Sequence, residues 1–194
     1  MKTKNTEKRV SVFIDNSNVY KRLLELNRID KNWVKSYNPR HLAEVIVGNR
    51  KLCSVFFYCS PPPSFMLQGD IKKQQNYWKQ ISYYEAIKKL PNVEIKYGRL
   101  TGNRDQLQEK NLDTQLTSDM IKLAAENQYD TAVLVSNDGD YESAVQTVNS
   151  FKKEVEFVYF KRNVSMALKS ICRVSRRVRQ SFFVKLSFPD INHS

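Results

Sequence analysis

The sequence has few of the residues on which many catalytic sites depend. His41 and His193 are its only histidines, which disfavours histidine-based acid–base catalysis. Its cysteines, Cys53, Cys59 and Cys172, are odd in number and lie in or near apolar segments. This is typical of reduced, mostly buried thiols in an intracellular protein, and the ligand cluster that a zinc site needs is missing.

Glycine-rich phosphate loops are missing as well. No G-x-G-x-x-G follows the first predicted strand and no G-x-x-x-x-G-K-[ST] occurs, which disfavours dinucleotide binding and P-loop chemistry. A haloacid-dehalogenase-like phosphatase would carry a second aspartate two residues after Asp15, where this chain has Ser17.

Long apolar runs are also missing, so we expect no membrane-spanning segment and no membrane partner. The basic start of the chain, Met1 to Asn5, is not followed by the apolar region of a secretory signal. A cytoplasmic location is therefore the default expectation.

Acidic residues are scarce relative to basic ones: the chain has 20 Asp and Glu against 32 Lys and Arg, a net charge of +12. Such a chain attracts polyanions, of which nucleic acid is the commonest in a cell. No acidic residue falls between Phe157 and Pro189. We predict that basic residues of this stretch bind nucleic acid, namely Arg162, Lys169, Arg173, Arg176 and Arg177. A membrane-surface helix and a helix that presents arginines to a partner protein are the alternatives.

Apolar runs alternate with helical patterns, which predicts a mostly parallel α/β sheet with helices on both faces. The predicted strands are Val10–Ile14, Cys53–Tyr58, Val93–Tyr97, Ala132–Val135 and Val155–Phe160. The predicted helices are Val19–Leu26, Pro39–Val47, Ile71–Leu90, Thr114–Glu126, Tyr141–Asn149 and a last one near Ser165–Ser181. We expect one domain over residues 9–182, with a flexible N-terminus at 1–8 and a C-terminal tail at 183–194.

Aspartates follow the predicted strands. Asp15 ends the first strand, and Asp138 and Asp140 follow Ala132–Val135. Asp113 and Asp119 lie on the helix before that strand. Alone, Asp15 is an ordinary helix cap and the Asp138 segment an ordinary turn. Together, carboxylates at the carboxyl edge of one sheet repel one another unless a cation lies between them.

The chemistry that suits this pattern is phosphodiester hydrolysis. Carboxylate and water ligands favour Mg²⁺ or Mn²⁺ over zinc, and such ions activate water and stabilise phosphoryl charge. The surrounding Lys and Arg would bind flanking phosphates.

Three segments together resemble the NYN domain, within the PIN-like nuclease superfamily, and more narrowly its LabA-like branch. They are Phe13–Asn18, Leu112–Met120 and Tyr129–Tyr141. The resemblance covers about residues 9–173. It implies a three-layer α/β/α sandwich and a metal-dependent ribonuclease that cuts single-stranded RNA. By motif position it implies Asp15, Asp119 and Asp138 as metal-binding catalytic residues, with Asn18, Asp113 and Asp140 in supporting roles.

The chain departs from the family pattern at two places. Asn137 replaces the first glycine of Ser-Gly-Asp-Gly-Asp, and Asn111-Leu112 stands where Gly-Val is common. Neither change removes a carboxylate. A non-catalytic PIN-like module that binds RNA or protein is the alternative function, and a DNA nuclease is a weaker one. Homodimers are common among PIN-like proteins, but nothing in this sequence establishes one.

Overall fold

The computed structural model describes residues 7–101, 108–161 and 163–187, and for Gln108 and Glu109 it describes the backbone alone. In chain order the strands are β1 (Arg9–Asp15), β2 (Lys51–Cys59), β3 (Val93–Tyr97), β4 (Arg99–Thr101), β5 (Gln108–Lys110), β6 (Thr131–Val135), β7 (Glu154–Tyr159) and β8 (Val174–Arg177). The helices are α1 (Asn16–Ile29), α2 (Pro39–Val47), α3 (Ile71–Lys88), α4 (Leu112–Ala125), α5 (Glu142–Ser150) and α6 (Met166–Ile171). None of the helices in these ranges is long and apolar enough to span a membrane.

One parallel sheet forms the centre of the fold, with the strand order β3-β2-β1-β6-β7-β8. The strands β4 and β5 pair separately and antiparallel. The five strands predicted from the sequence are confirmed, with ends shifted by at most two residues. The α/β class with helices on both faces of a parallel sheet is confirmed as well.

The two faces of the sheet carry separate cores. Alternate residues of β1 supply both, because successive side chains of a strand point to opposite faces. Val12 and Ile14 pack with α1, α2 and α3, whereas Phe13 packs with α4, α5 and α6. Phe183 and Leu186, beyond the last strand, are buried in the first of these cores. Burial on both faces explains why the strands read as continuous apolar runs.

The strand order reverses between β1 and β6. From β1 the chain builds outward through β2 to β3, and from β6 it builds in the other direction through β7 to β8. Ligands of open α/β sheets bind beyond the carboxyl ends of the strands at such a reversal. Asp15 ends β1 and Ser136 follows β6, so both lie at this point of the sheet.

The helix predicted near Ser165–Ser181 is wrong over most of its length. Helix α6 ends at Ile171, and Val174–Arg177 forms β8, which pairs with β7. The backbone N–H of Arg173 donates to Val155 O at 2.9 Å and starts this pairing. The backbone N–H and C=O groups on the outer edge of β7 need hydrogen-bond partners, and β8 supplies them. This tertiary pairing outweighed the local helical pattern.

Candidate metal centre

Asp15 is a buried carboxylate at the junction of β1 and α1, with 4% of its surface exposed. Its Oδ1 accepts the backbone N–H of Asn18 at 3.0 Å, which caps α1. Its Oδ2 accepts the hydroxyl of Ser136, the first residue after β6, at 2.9 Å. These bonds fix the carboxylate at the reversal point of the sheet.

The charge of Asp15 is poorly compensated. Burial, together with the nearby Asp113, raises the pKa of its carboxyl to about 6, against the lowering effect of the Asn18 and Ser136 hydrogen bonds. No ion pair in the described part of the chain includes Asp15. A buried carboxylate is stable in its ionised form when it is paired or binds a metal. Asp15 therefore favours a cation beside it.

Tyr141 links Asp15 to a second carboxylate. Its hydroxyl lies 2.8 Å from Oδ1 of Asp113, at the start of α4, and 3.2 Å from Oδ2 of Asp15. Burial, and then the two carboxylates, raises the pKa of Tyr141, so the side chain stays a phenol. Because a phenol has one hydrogen, it donates to one of these oxygens at a time, and both acids lie within hydrogen-bond distance of it.

Asp138 joins these acids in one cleft of about 340 Å³. The backbone N–H of Asp138 donates to the Ser136 hydroxyl oxygen at 3.1 Å, so Ser136 contacts both Asp15 and Asp138. The cleft is lined by Asp15, Ser17, Asn18, Lys21, Asn111, Leu112, Asp113, Thr114 and Asp138. Three carboxylates and one ammonium group thus face the same space.

The donor chemistry of the cleft fits a hard divalent cation. No group of three His, Cys, Asp or Glu side chains within residues 7–101, 108–161 and 163–187 is arranged to hold a metal ion. Mg²⁺, however, commonly keeps several waters and is bound by only one or two carboxylates plus substrate phosphates. Asp15 and Asp113, both in contact with the Tyr141 hydroxyl, meet this smaller requirement.

Asp119 and Asp140 lie outside the cleft. Asp119 accepts the Tyr58 hydroxyl at 2.9 Å, and Lys96 lies 3.9 Å from the same oxygen. Asp140 is exposed, and its backbone N–H donates to Oδ1 of Asp138 at 3.1 Å. Among the predicted acids, the structure therefore brings together Asp15, Asp113 and Asp138.

Asn18 acts on Asp15 through its backbone, while its side chain holds the neighbouring loop. Its Oδ1 accepts the backbone N–H of Asn137 at 3.0 Å. The Asn137 side chain bonds both backbone groups of Phe160, with its Oδ1 accepting the N–H at 2.7 Å and its Nδ2 donating to the carbonyl at 3.0 Å. The loop after β6 is thus tied to the first turn of α1 and to the residue that follows β7.

The two departures from the family pattern have different physical roles. Asn111 precedes α4 with φ of 71°, a left-handed conformation that asparagine tolerates better than most residues and glycine adopts freely. Asn137 is not among the residues with positive φ. Its side chain supplies hydrogen bonds that a glycine there would lack.

The predicted nucleic-acid-binding residues lie in different surroundings, although Arg176 and Arg177 line one cavity. Arg173 lies before β8, at the amino edge, and pairs with Glu154. Arg176 lies 3.4 Å from the buried Glu156, which Arg50 also binds, and donates to Ile46 O at 2.8 Å.

Two other predicted basic residues lie near the carboxyl edge. The ammonium group of Lys169 lies 5.2 Å from the ring centre of Tyr159, the last residue of β7. Arg177 ends β8 opposite Tyr159. Arg162 lies outside the described residues.

Three contributors to the cleft were not predicted from the sequence: Ser136, Tyr141 and Lys21. Ser136 and Tyr141 flank the aspartates of the third segment that resembles the NYN domain, so their position was visible although their role was not. Lys21 lies six positions after Asp15 on α1, where no local pattern distinguishes it from a surface lysine.

Comparison with known proteins places these features in a family. The NYN domain family matches residues 9–177. No curated protein matches the chain. A solved protein of unknown function from Vibrio parahaemolyticus has the same fold, with a TM-score of 0.64 and 18% identity over 94% of this chain and 99% of that one. The match is to the family as a whole, so the LabA-like branch stays a prediction, and a homodimer gains no support.

Proposed function

Because this chain belongs to the NYN domain family, within the PIN-like superfamily, we propose that it is a metal-dependent endoribonuclease of the LabA-like branch that cuts single-stranded RNA. The observation that carries the proposal is the buried Asp15 carboxylate. It has no cationic side chain paired with it in the described residues, and it shares a cleft with Asp113 and Asp138.

In this proposal Asp15 and Asp113 would hold Mg²⁺ or Mn²⁺ together with waters and the substrate phosphate, and Asp138 would lie beside the ion in the same cleft. Asp113 takes the place expected for Asp119. The ion would lower the pKa of a water molecule and stabilise charge on the phosphate. Tyr141 keeps Asp15 and Asp113 close to one hydroxyl, and Ser136 orients Asp15 and the backbone of Asp138. Lys21, in the same cleft, would attract the phosphate against the repulsion of the acids.

Lys169 and Arg177, which both lie beside Tyr159, would extend the RNA path along the carboxyl edge. We expect Lys169→Ala and Arg177→Ala each to weaken RNA binding and to reduce the slope of log affinity against log salt by about 0.7, the loss of one phosphate contact. Fluorescence anisotropy of labelled single-stranded RNA across a salt series measures both quantities.

Arg173→Ala is the matched control, because Arg173 pairs with Glu154 at the opposite edge of the sheet. It should leave the salt slope unchanged. An equal loss of slope in Arg173→Ala would contradict the proposed path.

A panel of substrates tests the proposed function. Purified protein is incubated with single-stranded RNA, structured RNA and single-stranded DNA, each with Mg²⁺, Mn²⁺ or EDTA. We expect cleavage of single-stranded RNA that needs the metal. Salt-sensitive RNA binding without cleavage at any metal concentration would indicate a binding module, and preferential cleavage of DNA would indicate a DNA nuclease.

A further inference from the structure

A second cavity adjoins the metal cleft on the β2 side of β1. It measures about 570 Å³, within the range of small-molecule sites. Its lining comes from α1, α3 and the segments that follow α1 and β2. Ser17 also lines the metal cleft, so the two spaces meet at the first turn of α1.

Tyrosine rings line this cavity, and two of them are fixed through their hydroxyls. Tyr83 donates to Tyr37 O at 2.7 Å, and Tyr84 donates to Ser60 O at 3.1 Å. Tyr20, on α1, is 44% exposed although it is a large aromatic residue. Tyr83 and Tyr84 are only 8% and 4% exposed and form the wall of the cavity, so Tyr20 is the ring that can stack on an unpaired base. Such stacking is tolerant of base identity.

The polar groups of the cavity suit a nucleotide. Lys35 and Lys79 supply positive charge, and no acidic residue is among the lining residues. Asn76 carries an amide, which can both donate to and accept from the edge of a base. The amide nitrogen of Gln80 donates to the Tyr84 hydroxyl at 2.8 Å. An aromatic face, an amide and ammonium groups thus match a base, its polar edge and its phosphate.

Ser60 gives an independent indication of a ligand. It lines the cavity, is 6% exposed, and its buried hydroxyl has no hydrogen-bond partner among the described residues. A buried polar group without a partner costs about 1–3 kcal/mol. A bound base edge would compensate this cost.

We propose that this cavity binds the base of a nucleotide next to the scissile phosphate. This inference rests on the proposed ribonuclease function, because the adjoining cleft is assigned to the phosphate. It makes the cavity the part of the molecule that selects an unpaired nucleotide, since a base held in a duplex cannot enter it.

Binding of free nucleotides tests the cavity separately from cleavage. The full chain in EDTA is titrated with each of the four nucleoside 5′-monophosphates, and with ribose 5-phosphate as the control without a base. We expect at least one nucleotide to bind at least about fivefold more tightly than ribose 5-phosphate. A fivefold difference is about the lower end of the effect expected from one base–aromatic stacking contact. Tyr20→Ala and Lys79→Ala should each weaken that binding.

Matched controls exist for both variants. Phe151, after α5, is 43% exposed, close to the value for Tyr20, and Lys122 on α4 has a side chain that is 70% exposed. Neither lines the cavity, so Phe151→Ala and Lys122→Ala should bind nucleotides like the wild type.

The inference is overturned if no nucleotide binds more tightly than ribose 5-phosphate, or if the control variants weaken binding as much as Tyr20→Ala and Lys79→Ala. Base-dependent binding together with failure to cleave any nucleic acid would support the cavity and reject the ribonuclease proposal. Cleavage of RNA without base-dependent binding would support the ribonuclease proposal and reject the nucleotide-binding cavity.

Discussion

Replacing Asp15 by asparagine should abolish metal-dependent RNA cleavage and leave the chain folded. A catalytic metal supplies several kcal/mol of transition-state stabilisation, so its loss should lower the single-turnover rate by about a thousandfold or more. Asparagine keeps a carbonyl oxygen for the Asn18 N–H, and its amide can donate to the Ser136 and Tyr141 oxygens. Circular dichroism and the melting temperature would confirm folding.

Asp138→Asn should have a similar effect on cleavage, because Asp138 lines the same cleft. The matched control is Asp30→Asn at the end of α1. Asp30 accepts the Asn32 N–H at 3.0 Å, a bond that asparagine can keep. A wild-type rate in both Asp15→Asn and Asp138→Asn would show that the assigned cleft is not the catalytic site.

The metal-free protein should lose stability as the pH rises from about 4 to 6. The folded protein binds the Asp15 proton more tightly than the unfolded chain does, because burial raises the pKa from 3.8 to about 6. Stability from this proton is therefore present below pH 4 and is lost as the pH rises through the folded pKa. The cost at pH 7 is about 3 kcal/mol.

Comparison with Asp15→Asn isolates this contribution, since the other groups titrate in both proteins. In EDTA the two should have similar free energies of unfolding at pH 4, and the variant should be more stable at pH 7. Urea denaturation at several pH values measures the difference. Mg²⁺ at pH 7 should stabilise only the wild type. A difference that does not change with pH would contradict a buried, uncompensated Asp15.

Asp15 and Asp138 could be predicted as neighbours because their position at strand ends is visible in the local sequence. Each follows a short apolar run, and the carboxyl ends of parallel strands meet at one edge of the sheet. The pairing of β1 with β6 brings the two segments together through Ser136. The part of the site that depends on strand ends was therefore predictable.

The choice between Asp113 and Asp119 was not predictable from their spacing. They are six positions apart, or about 240° around a helix of 3.6 residues per turn, so they face different directions. Burial of Leu116 and Met120 sets the rotation of α4 and directs Asp113 to the cleft and Asp119 to Tyr58. That rotation depends on tertiary packing.

The structure of the C-terminal segment also depends on tertiary contacts that the local sequence does not show. Its basic residues were predicted to bind nucleic acid, and a helix was predicted near Ser165–Ser181. Instead, Arg173 lies before β8, and Arg176 and Arg177 lie on this strand. The buried Glu156 lies near both Arg50 and Arg176. Arg50 lies 106 positions before Glu156, and a partner at that distance leaves no trace in a local pattern.

The most direct test of the account is cleavage of one 5′-labelled single-stranded RNA by three preparations: wild type with Mg²⁺, wild type with EDTA, and Asp15→Asn with Mg²⁺. The account predicts labelled fragments in the first reaction and none in the other two. Fragments that form at the wild-type rate in EDTA, or with Asp15→Asn, would contradict a metal-dependent site at Asp15.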